Sequence, residues 1–423
     1  MRIVVKFGGT SVRTPARLRL AARNILALRA RGEEVLVVVS AMGDTTNRLM
    51  KLGRKAHPDA AMDQHYLRLL ATGETASANL LAMALQAEGC RSAAIAFDHP
   101  EFPLVASPGQ AEHQTLSAGK VNDLVEVRLD EPACRDRFQR VIDPLVHAGT
   151  VPVFPGFFVQ DGARHLVTLG RGGSDVSAFL VGRFARADEV VIVTDVKGVL
   201  TADPRVVADT EPVPEMDAGL MSAVAQRGAQ VLHPNALRYK PETVTARVVH
   251  FNDLARLAQG TRITGAARTR LTVHPWTLTL LLMFGRGISA RLGLLARLGS
   301  FVESHGVAIH ASTSSDTAVG LYVGQDDGRR LAEAIHRKFV GAGKDFDELV
   351  VTRDVAEVRL TNPAFVNTHG VIRVIADTLY RGGINIVEMV TTHADILVYC
   401  HRGDADKVKD ALAERLGVKA EEG

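Results

Sequence analysis

The sequence is poor in cysteine and nearly balanced in charge. Its 423 residues include 3 cysteines, and 50 Lys and Arg against 47 Asp and Glu give a formal net charge of +3. Cys90, Cys134 and Cys400 stand far apart, form no metal-binding motif and suit a reducing cytoplasm. We expect all three to be buried as small apolar side chains.

Long apolar runs are also missing. Leu278–Phe284 is among the longest, and it is too short to span a bilayer. The N-terminus has the pattern of a strand rather than of a signal peptide, and the small net charge does not demand nucleic-acid binding. We therefore expect a cytoplasmic protein without membrane or nucleic-acid partners, whose 45.5 kDa divide into two or three domains.

The first 265 residues alternate strand and helix patterns. Short apolar runs bounded by turns predict buried strands at Ile3–Phe7, Val35–Val39, Ala93–Phe97, Val151–Phe154, His165–Leu169 and Val190–Val193. Helical patterns between them predict an α/β fold, with a mostly parallel sheet and helices on both faces. Ligands of such sheets bind at the carboxyl ends of the strands.

The pattern changes after Gly265–Arg270, which has the composition of a linker. A β-α-β-β-α order then occurs twice, from Leu278 to Thr352 and from Ala356 to Leu416, which is typical of the ferredoxin-like βαββαβ plan. We expect one large domain at 1–265 and two small domains at 277–353 and 354–423.

The first candidate site follows the first strand, in the segment Lys6-Phe7-Gly8-Gly9. Phosphate needs N–H donors at close range, and glycine lets the backbone approach it. A lysine beside such donors stabilises charge on a transferred phosphoryl group. Taken alone, the motif fits a tight turn with an exposed lysine as well as it fits a phosphate site. The spacing of a Walker A loop is absent.

The second candidate is Arg171-Gly172-Gly173-Ser174-Asp175, immediately before a predicted helix. N–H groups at a helix N-terminus favour an anion, and Arg171 offers a planar fork for a carboxylate. Taken alone, Asp175 is best interpreted as the helix N-cap. Its second possible role is to organise Lys6 by opposite charge.

Three further segments carry polar groups beside apolar patterns. The hydroxyl-rich turn Ser40–Asn47 follows a predicted buried strand, and N-capping explains only one of its hydroxyls. Glu74 lies in an apolar helix, where an inward carboxylate needs a cation such as a ligand ammonium. Thr194–Arg205 follows another predicted strand, a position that favours ligand contact over a plain surface loop.

Together these segments resemble the aspartate kinases of the amino-acid kinase family. The matching pieces stand in the family order and read VVKFGGTSV (4–12), VVVSAMGDTTN (37–47), ATGE (71–74), LGRGGSD (169–175), TDVKGVLTADPR (194–205) and VLHP (231–234). The C-terminal repeat resembles the paired ACT domains that sense amino acids in that family. The resemblance covers nearly the whole chain.

The resemblance implies ATP-dependent phosphorylation of the side-chain carboxylate of L-aspartate. The product would be 4-phospho-L-aspartate, on the route to lysine, threonine and methionine. A carboxylate is already a nucleophile at neutral pH, so catalysis reduces to positioning and charge neutralisation. Mg²⁺ is expected to arrive with ATP, held mainly by phosphates and water.

By the same resemblance, three groups of residues form the site. Those expected at the transferring phosphate are Lys6, Gly8, Gly9 and Ser40, with Asp175 orienting Lys6. Those expected at aspartate are Thr46, Glu74 on the ammonium, Arg171 on a carboxylate, and Ser174. Those expected along the nucleotide are Thr194, Asp195, Leu200, Asp203, Arg205 and Gln230.

Two of the nucleotide positions depart from the family pattern. Leu200 stands where the family often has tyrosine, and Gln230 where it often has lysine or arginine. Loss of that phosphate contact would weaken ATP binding by about 1–3 kcal/mol, unless Arg227 substitutes. A non-catalytic amino-acid sensor is therefore one alternative. A kinase of another small carboxylic acid fits less well, because Glu74 and Arg171 together suit an α-amino acid.

The resemblance also implies regulation and assembly. His310 occupies the place of an acidic residue before the effector loop, and Ser315-Asp316 resembles the family's Ser-Glu pair. Lysine and/or threonine are the expected effectors, and the ACT repeat implies a homodimer or a dimer of dimers. A purely structural dimerisation module is the alternative for this region.

Overall fold

The computed structural model describes residues 1–57, 64–108, 127–226, 231–255, 259–267, 269–362, 365, 370–392 and 394–418. The chain divides into unit 1, Met1–Ala267, and unit 2, Arg268–Gly423. Within the described ranges, no helix has the length and apolar character needed to cross a membrane.

Unit 1 alternates strands and helices, as the sequence predicts. Its described elements are β1 (Arg2–Phe7), α1 (Pro15–Ala30), β2 (Glu34–Val39), α2 (Thr45–Ala56), α3 (Gln64–Ala87), β3 (Ser92–Ala94), α4 (Glu131–Arg137), α5 (Asp143–His147), β4 (Val151–Pro155), β5 (Phe158–Gln160), β6 (Leu166–Thr168), α6 (Gly173–Phe184), β7 (Glu189–Thr194), β8 (Glu215–Asp217), α7 (Ala218–Gln226), α8 (Pro234–Leu237), β9 (Thr245–His250) and β10 (Thr261–Thr264). One π-helical turn, Phe138–Ile142, joins α4 to α5.

Eight of these strands form one sheet in the order β3-β4-β2-β1-β7-β9-β10-β8. Neighbouring strands are parallel except β9 and β10, which run antiparallel. Alternate residues of β1 enter different cores: Val4 packs with one set of helices, and Ile3 and Val5 pack with the other. The predicted parallel sheet with helices on both faces is confirmed.

The strand register brings four loops to one edge of this sheet. Phe7 pairs with Val39 on β2 and with Val193 on β7, and Val39 pairs with Pro155 on β4. Because these strands are parallel, the chain leaves all four at the same edge. The residues that follow the strands therefore start the candidate site from neighbouring positions.

Unit 2 contains the predicted repeat. Its described elements are β11 (Arg270–Val273), β12 (Leu278–Phe284), α9 (Leu294–Ser304), β13 (Ile309–Ser314), β14 (Ala318–Gly324), α10 (Gln325–Phe339), β15 (Glu348–Thr361), α11 (Val371–Arg381), β16 (Ile386–Thr392), β17 (Asp395–His401) and α12 (Ala405–Leu416). The strand order is β13-β14-β12-β15-β17-β16, with β11 also paired to β15. The prediction of two ferredoxin-like units is confirmed.

The two ferredoxin-like units share strand β15. Its first part pairs with β12 of the first unit, and its second part pairs with β17 of the second unit. The sequence predicted two strands here, and the structure has one, with Asp354 at a φ of 56° in the middle. β11, which precedes the first unit in the chain, lies beside the second part of β15 and takes the place of the second unit's last strand. The sequence analysis predicts a linker at Gly265–Arg270, whereas the structure places Arg270 in β11.

Candidate active site

The two glycine turns of unit 1 are joined by an ion pair. Lys6 lies on β1 and Asp175 lies in the first turn of α6, and Lys6 Nζ is 2.5 Å from Asp175 Oδ1. Only 9% and 11% of these side chains are exposed. A partly desolvated pair of this kind holds the ammonium in one place, at the end of the strand.

The turn after β1, Lys6–Ser11, is tightly packed on one side and open on the other. A Cβ on Gly9 would lie 2.7 Å from the Ala41 carbonyl oxygen, and the Gly43 N–H donates to the Gly9 carbonyl at 3.0 Å. A Cβ on Gly8, in contrast, would first meet Lys6 Nζ, at 3.7 Å. Gly9 is therefore needed for the approach of the neighbouring loop, whereas Gly8 leaves space in front of the ammonium.

The turn before α6, Leu169–Asp175, depends on left-handed glycines. Gly170 and Gly172 both have a φ of 71°, and Gly172 is the residue that caps α6. The interpretation of Asp175 as the N-cap is therefore wrong. Asp175 is the third residue of the helix, and its side chain is left to pair with Lys6.

Ser40 and Ser174 make a second bridge between the strand ends and α6. Their hydroxyl oxygens are 2.8 Å apart. A Cβ on Gly156, which follows β4, would lie 2.7 Å from Ser174 Cβ, so glycine is required for this close approach. Both serines are half-buried, and they line the same edge as the Lys6–Asp175 pair.

Glu74 is the buried carboxylate that the sequence predicted. It lies on α3 with 3% of its surface exposed, and its Oε2 has no hydrogen-bond partner among the described residues. Burial raises the pKa of the Glu74 carboxyl to about 8. A hydrogen bond with the Ala41 backbone and the nearby Lys6 ammonium both lower this pKa, but by less than burial raises it. A second cation close to Glu74 would lower this pKa and favour the ionised carboxylate.

Thr46 and Arg171, also expected at aspartate, lie in two different places: Thr46 on the helix next to α3, and Arg171 on the second turn. Thr46 is half-buried in the first turn of α2, next to Thr45. A Cβ on Gly73 would lie 3.1 Å from Thr45 Cγ2, so α2 and α3 approach each other beside Glu74. Arg171 lies on the second turn with its side chain exposed.

The residues expected along the nucleotide are less closely grouped. Thr194 ends β7 and donates to Asp195 at 3.2 Å, beside the first turn in the sheet register. Leu200 is half-buried and forms a bridge with Pro212. Asp203 and Arg205 form an exposed ion pair at 3.3 Å. Gln230 and its possible substitute Arg227 lie outside the described residues.

The three expected effector residues occupy two different places in unit 2. His310, at the start of β13, packs its ring against Trp276 and His274, with centroids 4.9 and 5.2 Å away. Asp316 lies beyond the other end of β13, where it accepts a hydrogen bond from Ser289, and Ser315 closes the same hairpin. The structure does not bring His310 together with the Ser315–Asp316 pair.

Sequence reasoning missed two residues that shape the second turn. Phe157 has a φ of 77°, unusual for a residue with a side chain, and a Cβ on Gly173 would lie 2.7 Å from its ring. Asn235, on α8, donates from Nδ2 to the Leu169 carbonyl oxygen at 3.3 Å. The only sequence signal for Asn235 was its position next to the VLHP segment.

The assembled groups suit the transfer of an anionic group to a small zwitterion. An ammonium, open backbone and two hydroxyls meet at one edge of the sheet, with a buried carboxylate nearby. Among the described residues, no cluster of three or more His, Cys, Asp or Glu could hold a metal ion. Lys6 and Arg171 each bring a positive charge to the two turns.

Comparison with known proteins gives consistent matches. The amino acid kinase family model matches residues 1–250. The aspartokinase of Rickettsia felis is 35% identical over 244 residues, and this match spans 56% of the present chain and 56% of that relative. Aspartokinase 2 of Bacillus subtilis is 28% identical over 421 residues, which cover 96% of this chain and 95% of the relative.

Among solved structures, aspartate kinase from Synechocystis has a similar fold. The TM-score is 0.80 at 24% sequence identity, covering 99% of this chain and 70% of that chain. At this level of identity the likeness concerns the fold.

Proposed function

This chain belongs to the amino acid kinase family, and on that premise we propose that it is an aspartate kinase acting in the cytoplasm. It phosphorylates the side-chain carboxylate of L-aspartate with ATP. The observation that carries the proposal is the Lys6–Asp175 pair, which joins the two glycine turns next to the buried Glu74. The aspartokinase names of the relatives support the choice of substrate.

The reaction needs positioning and charge neutralisation rather than a general base. A side-chain oxygen of aspartate forms a bond to the γ-phosphorus of ATP, the bond from that phosphorus to the β–γ bridging oxygen breaks, and ADP leaves. Lys6, fixed by Asp175, neutralises charge at the transferred group. The Ser40 and Ser174 hydroxyls, 2.8 Å apart, offer hydrogen bonds at the same edge.

Glu74 and Arg171 recognise the amino-acid part of the substrate. The unpartnered Oε2 of Glu74 provides a buried acceptor for the α-ammonium. Arg171 provides a guanidinium fork for the α-carboxylate, and Thr46 and Ser174 supply hydroxyls. Two opposite charges placed in this way select an α-amino acid over a simple dicarboxylic acid.

The first turn fits a phosphate group. Gly8 has open space in front of Lys6 Nζ, and this space would be narrowed by any side chain. Thr194 and Asp195 begin the wall along the nucleotide, with Leu200, Asp203 and Arg205 further along the same loop. Mg²⁺ bound with ATP supplies additional neutralisation of the phosphate charge.

The non-catalytic sensor is not favoured. It would require a decayed site, yet Lys6 and Asp175 are paired and Glu74 is buried beside them. Calorimetry with ATP and aspartate separates the two hypotheses, because a sensor binds without turnover.

Aspartate-dependent formation of ADP from Mg-ATP tests the proposal. We expect turnover with aspartate, and little with glutamate or with succinate, which lacks the ammonium. No turnover at saturating aspartate and ATP would refute the kinase. Equal turnover with succinate would refute the roles of Glu74 and Arg171.

We further propose that unit 2 regulates this activity as paired ACT domains and assembles the chain into a homodimer or a dimer of dimers. Lysine and/or threonine are the proposed effectors, with His310 and the Ser315–Asp316 hairpin as two separate contact regions. Turnover measured with lysine, threonine and methionine, alone and in pairs, should fall with at least one of them. Unchanged turnover in every combination would indicate a purely structural role for unit 2.

A further inference from the structure

We infer that Asn235 is a positioning residue for aspartate binding, acting through the turn that carries Arg171. This inference rests on the proposed function. Asn235 lies on α8 (Pro234–Leu237), far along the chain from the turn, and only 6% of its surface is exposed. Among the described residues, its side chain donates hydrogen bonds only to the turn before α6, and none to the first glycine turn or to the loop after β7.

The side-chain amide of Asn235 reaches two carbonyl oxygens in the first half of the turn. Nδ2 donates to the Leu169 carbonyl oxygen at 3.3 Å and reaches the Arg171 carbonyl oxygen at 3.5 Å. A carbonyl oxygen can only accept, so the two neighbours fix the amide orientation with its nitrogen toward the turn. Asn235 Oδ1 has no hydrogen-bond partner in the described part of the chain, so the amide is held there by Nδ2.

Two glycines give the backbone of this turn unusual conformational freedom on either side of Arg171. Gly170 and Gly172 both have a φ of 71°, and glycine is the residue with the most backbone freedom. Arg171 stands between these two glycines with an exposed side chain. Asn235 bonds the carbonyls at both ends of the segment Leu169–Arg171, and thereby restricts the direction in which Arg171 leaves the backbone.

The same helix also packs against the turn. His233 caps α8 by accepting from the Asn235 N–H at 3.3 Å, and its side chain touches Gly172 so closely that a Cβ there would lie 2.3 Å from His233 Cβ. The position of Asn235 is therefore fixed relative to the turn. Aspartate, leucine or alanine at 235 would each remove the donor that bonds the two carbonyls.

Steady-state kinetics with three variants provide the test. Asn235→Leu keeps the branched shape, with more bulk, and loses the donor. Asn235→Ala loses the donor without added bulk, and Asn235→Asp places an acceptor against two carbonyls. We expect KM for aspartate to rise about three- to tenfold for leucine and alanine, and more for aspartate. KM for ATP should change less than about twofold.

A double-mutant cycle tests whether Asn235 acts through Arg171. In an Arg171→Ala background, Asn235→Leu should have little further effect on KM for aspartate, because the guanidinium that it positions is gone. An unchanged KM for aspartate in the single variants would overturn the inference. So would the same fold-change in both backgrounds, or an equal rise in KM for ATP.

Hydrogen exchange provides a measurement that does not depend on activity. The Gly170 amide donates to Thr168 Oγ1, and the amides of Gly173 and Asp175 donate to the Gly170 and Gly172 carbonyls. All three should exchange faster in Asn235→Leu. Asn24→Leu is the matched control, since Asn24 also donates from Nδ2 to a backbone carbonyl, that of Phe251, at 3.2 Å. If the wild type shows no aspartate-dependent ADP formation, the proposed function fails. Unchanged exchange in the turn of Asn235→Leu would refute the role of Asn235, whether or not the protein forms ADP.

Discussion

Lys6 Nζ lies 2.5 Å from Asp175 Oδ1, with 9% and 11% of the two side chains exposed. This pair connects the end of the first strand to the first turn of α6. It turns two separate glycine motifs into one site with a fixed positive charge.

Lys6→Ala should lower kcat about 10²–10³-fold, because one preorganised donor at the transferred group is lost. Asp175→Asn should also lower kcat, since the ammonium is then no longer held by an opposite charge. KM for aspartate should change less in both variants. The assay is ADP formation at saturating substrates, with Lys51→Ala, an exposed lysine on α2, as the control. Near-normal kcat in Lys6→Ala would mean that the role assigned to Lys6 is wrong.

Gly172→Ala should destabilise the protein more than Gly89→Ala. Both glycines have positive φ, 71° and 78°, but a Cβ on Gly89 meets nothing within 4 Å, whereas one on Gly172 would lie 2.3 Å from His233 Cβ. Gly89→Ala therefore measures the backbone strain alone, about 1 kcal/mol. The collision should cost Gly172→Ala about 1–3 kcal/mol more in the free energy of unfolding. Equal denaturation midpoints for the two variants would contradict the close approach of His233.

Aspartate binding should release a proton through Glu74. The pKa of this carboxyl is raised from 4.5 to about 8, so at pH 7 it is mostly protonated, and a bound α-ammonium would favour its ionised form. At pH 7 we therefore expect a net release of up to one proton per site. Calorimetry in phosphate and in Tris, which differ in ionisation enthalpy, measures this number. Glu74→Gln should abolish the release and weaken aspartate binding; unchanged proton release in that variant would exclude Glu74 as its source.

The same raised pKa makes the stability of the unliganded protein depend on pH through Glu74. Between pH 4.5 and 8 the folded state binds more protons at Glu74 than the unfolded state does. The contribution of Glu74 to the free energy of unfolding is therefore full below pH 4.5, and it is lost as pH rises toward 8. Glu74→Gln should remove this slope, which denaturant titrations at several pH values would show.

Tyr399→Phe should destabilise unit 2 by about 1–3 kcal/mol. The Tyr399 hydroxyl donates to the buried Glu357 at 2.9 Å, and its ring stacks on Tyr322 with centroids 3.9 Å apart. Removing the hydroxyl withdraws one of the donors of a buried carboxylate. Tyr380→Phe, at a side chain that is 84% exposed, is the control. Denaturant unfolding measures the difference, and equal stability of the two variants would contradict the account.

The tyrosine pair also makes unit 2 sensitive to high pH. Burial and the neighbouring carboxylates Glu388 and Glu357 raise the pKa of both Tyr322 and Tyr399 above the usual value of 10. The stabilisation is complete below pH 10 and is lost as pH rises further, because the unfolded tyrosines ionise first.

Much of this architecture was predictable because it depends on local patterns. β-Branched runs such as Val35–Val39 predict buried strands, and Thr14-Pro15 predicts the start of α1, where Thr14 does accept from the Arg17 N–H. The burial of Glu74 was predictable from the apolar residues around it on α3. These features require no knowledge of the distant parts of the chain.

The features that were not predictable depend on distant contacts or on backbone conformation. The sequence predicts two strands on either side of Asp354, but at a φ of 56° this residue forms an irregularity inside the continuous strand β15. The local pattern favours Asp175 as an N-cap, and its pairing with Lys6 was expected only as a second role and from the family resemblance. Asn235 bonds a carbonyl 66 positions away, a contact without a local signal.

The central claim is that this chain transfers phosphate from ATP to the side-chain carboxylate of aspartate. Hydroxylamine tests it directly, because it attacks an acyl phosphate to give a hydroxamate and inorganic phosphate. With Mg-ATP, aspartate and hydroxylamine, we expect ADP and the side-chain hydroxamate of aspartate in equal amounts, with both strongly reduced in Lys6→Ala. No ADP, ADP without a hydroxamate, or a hydroxamate at the α-carboxylate would contradict the account.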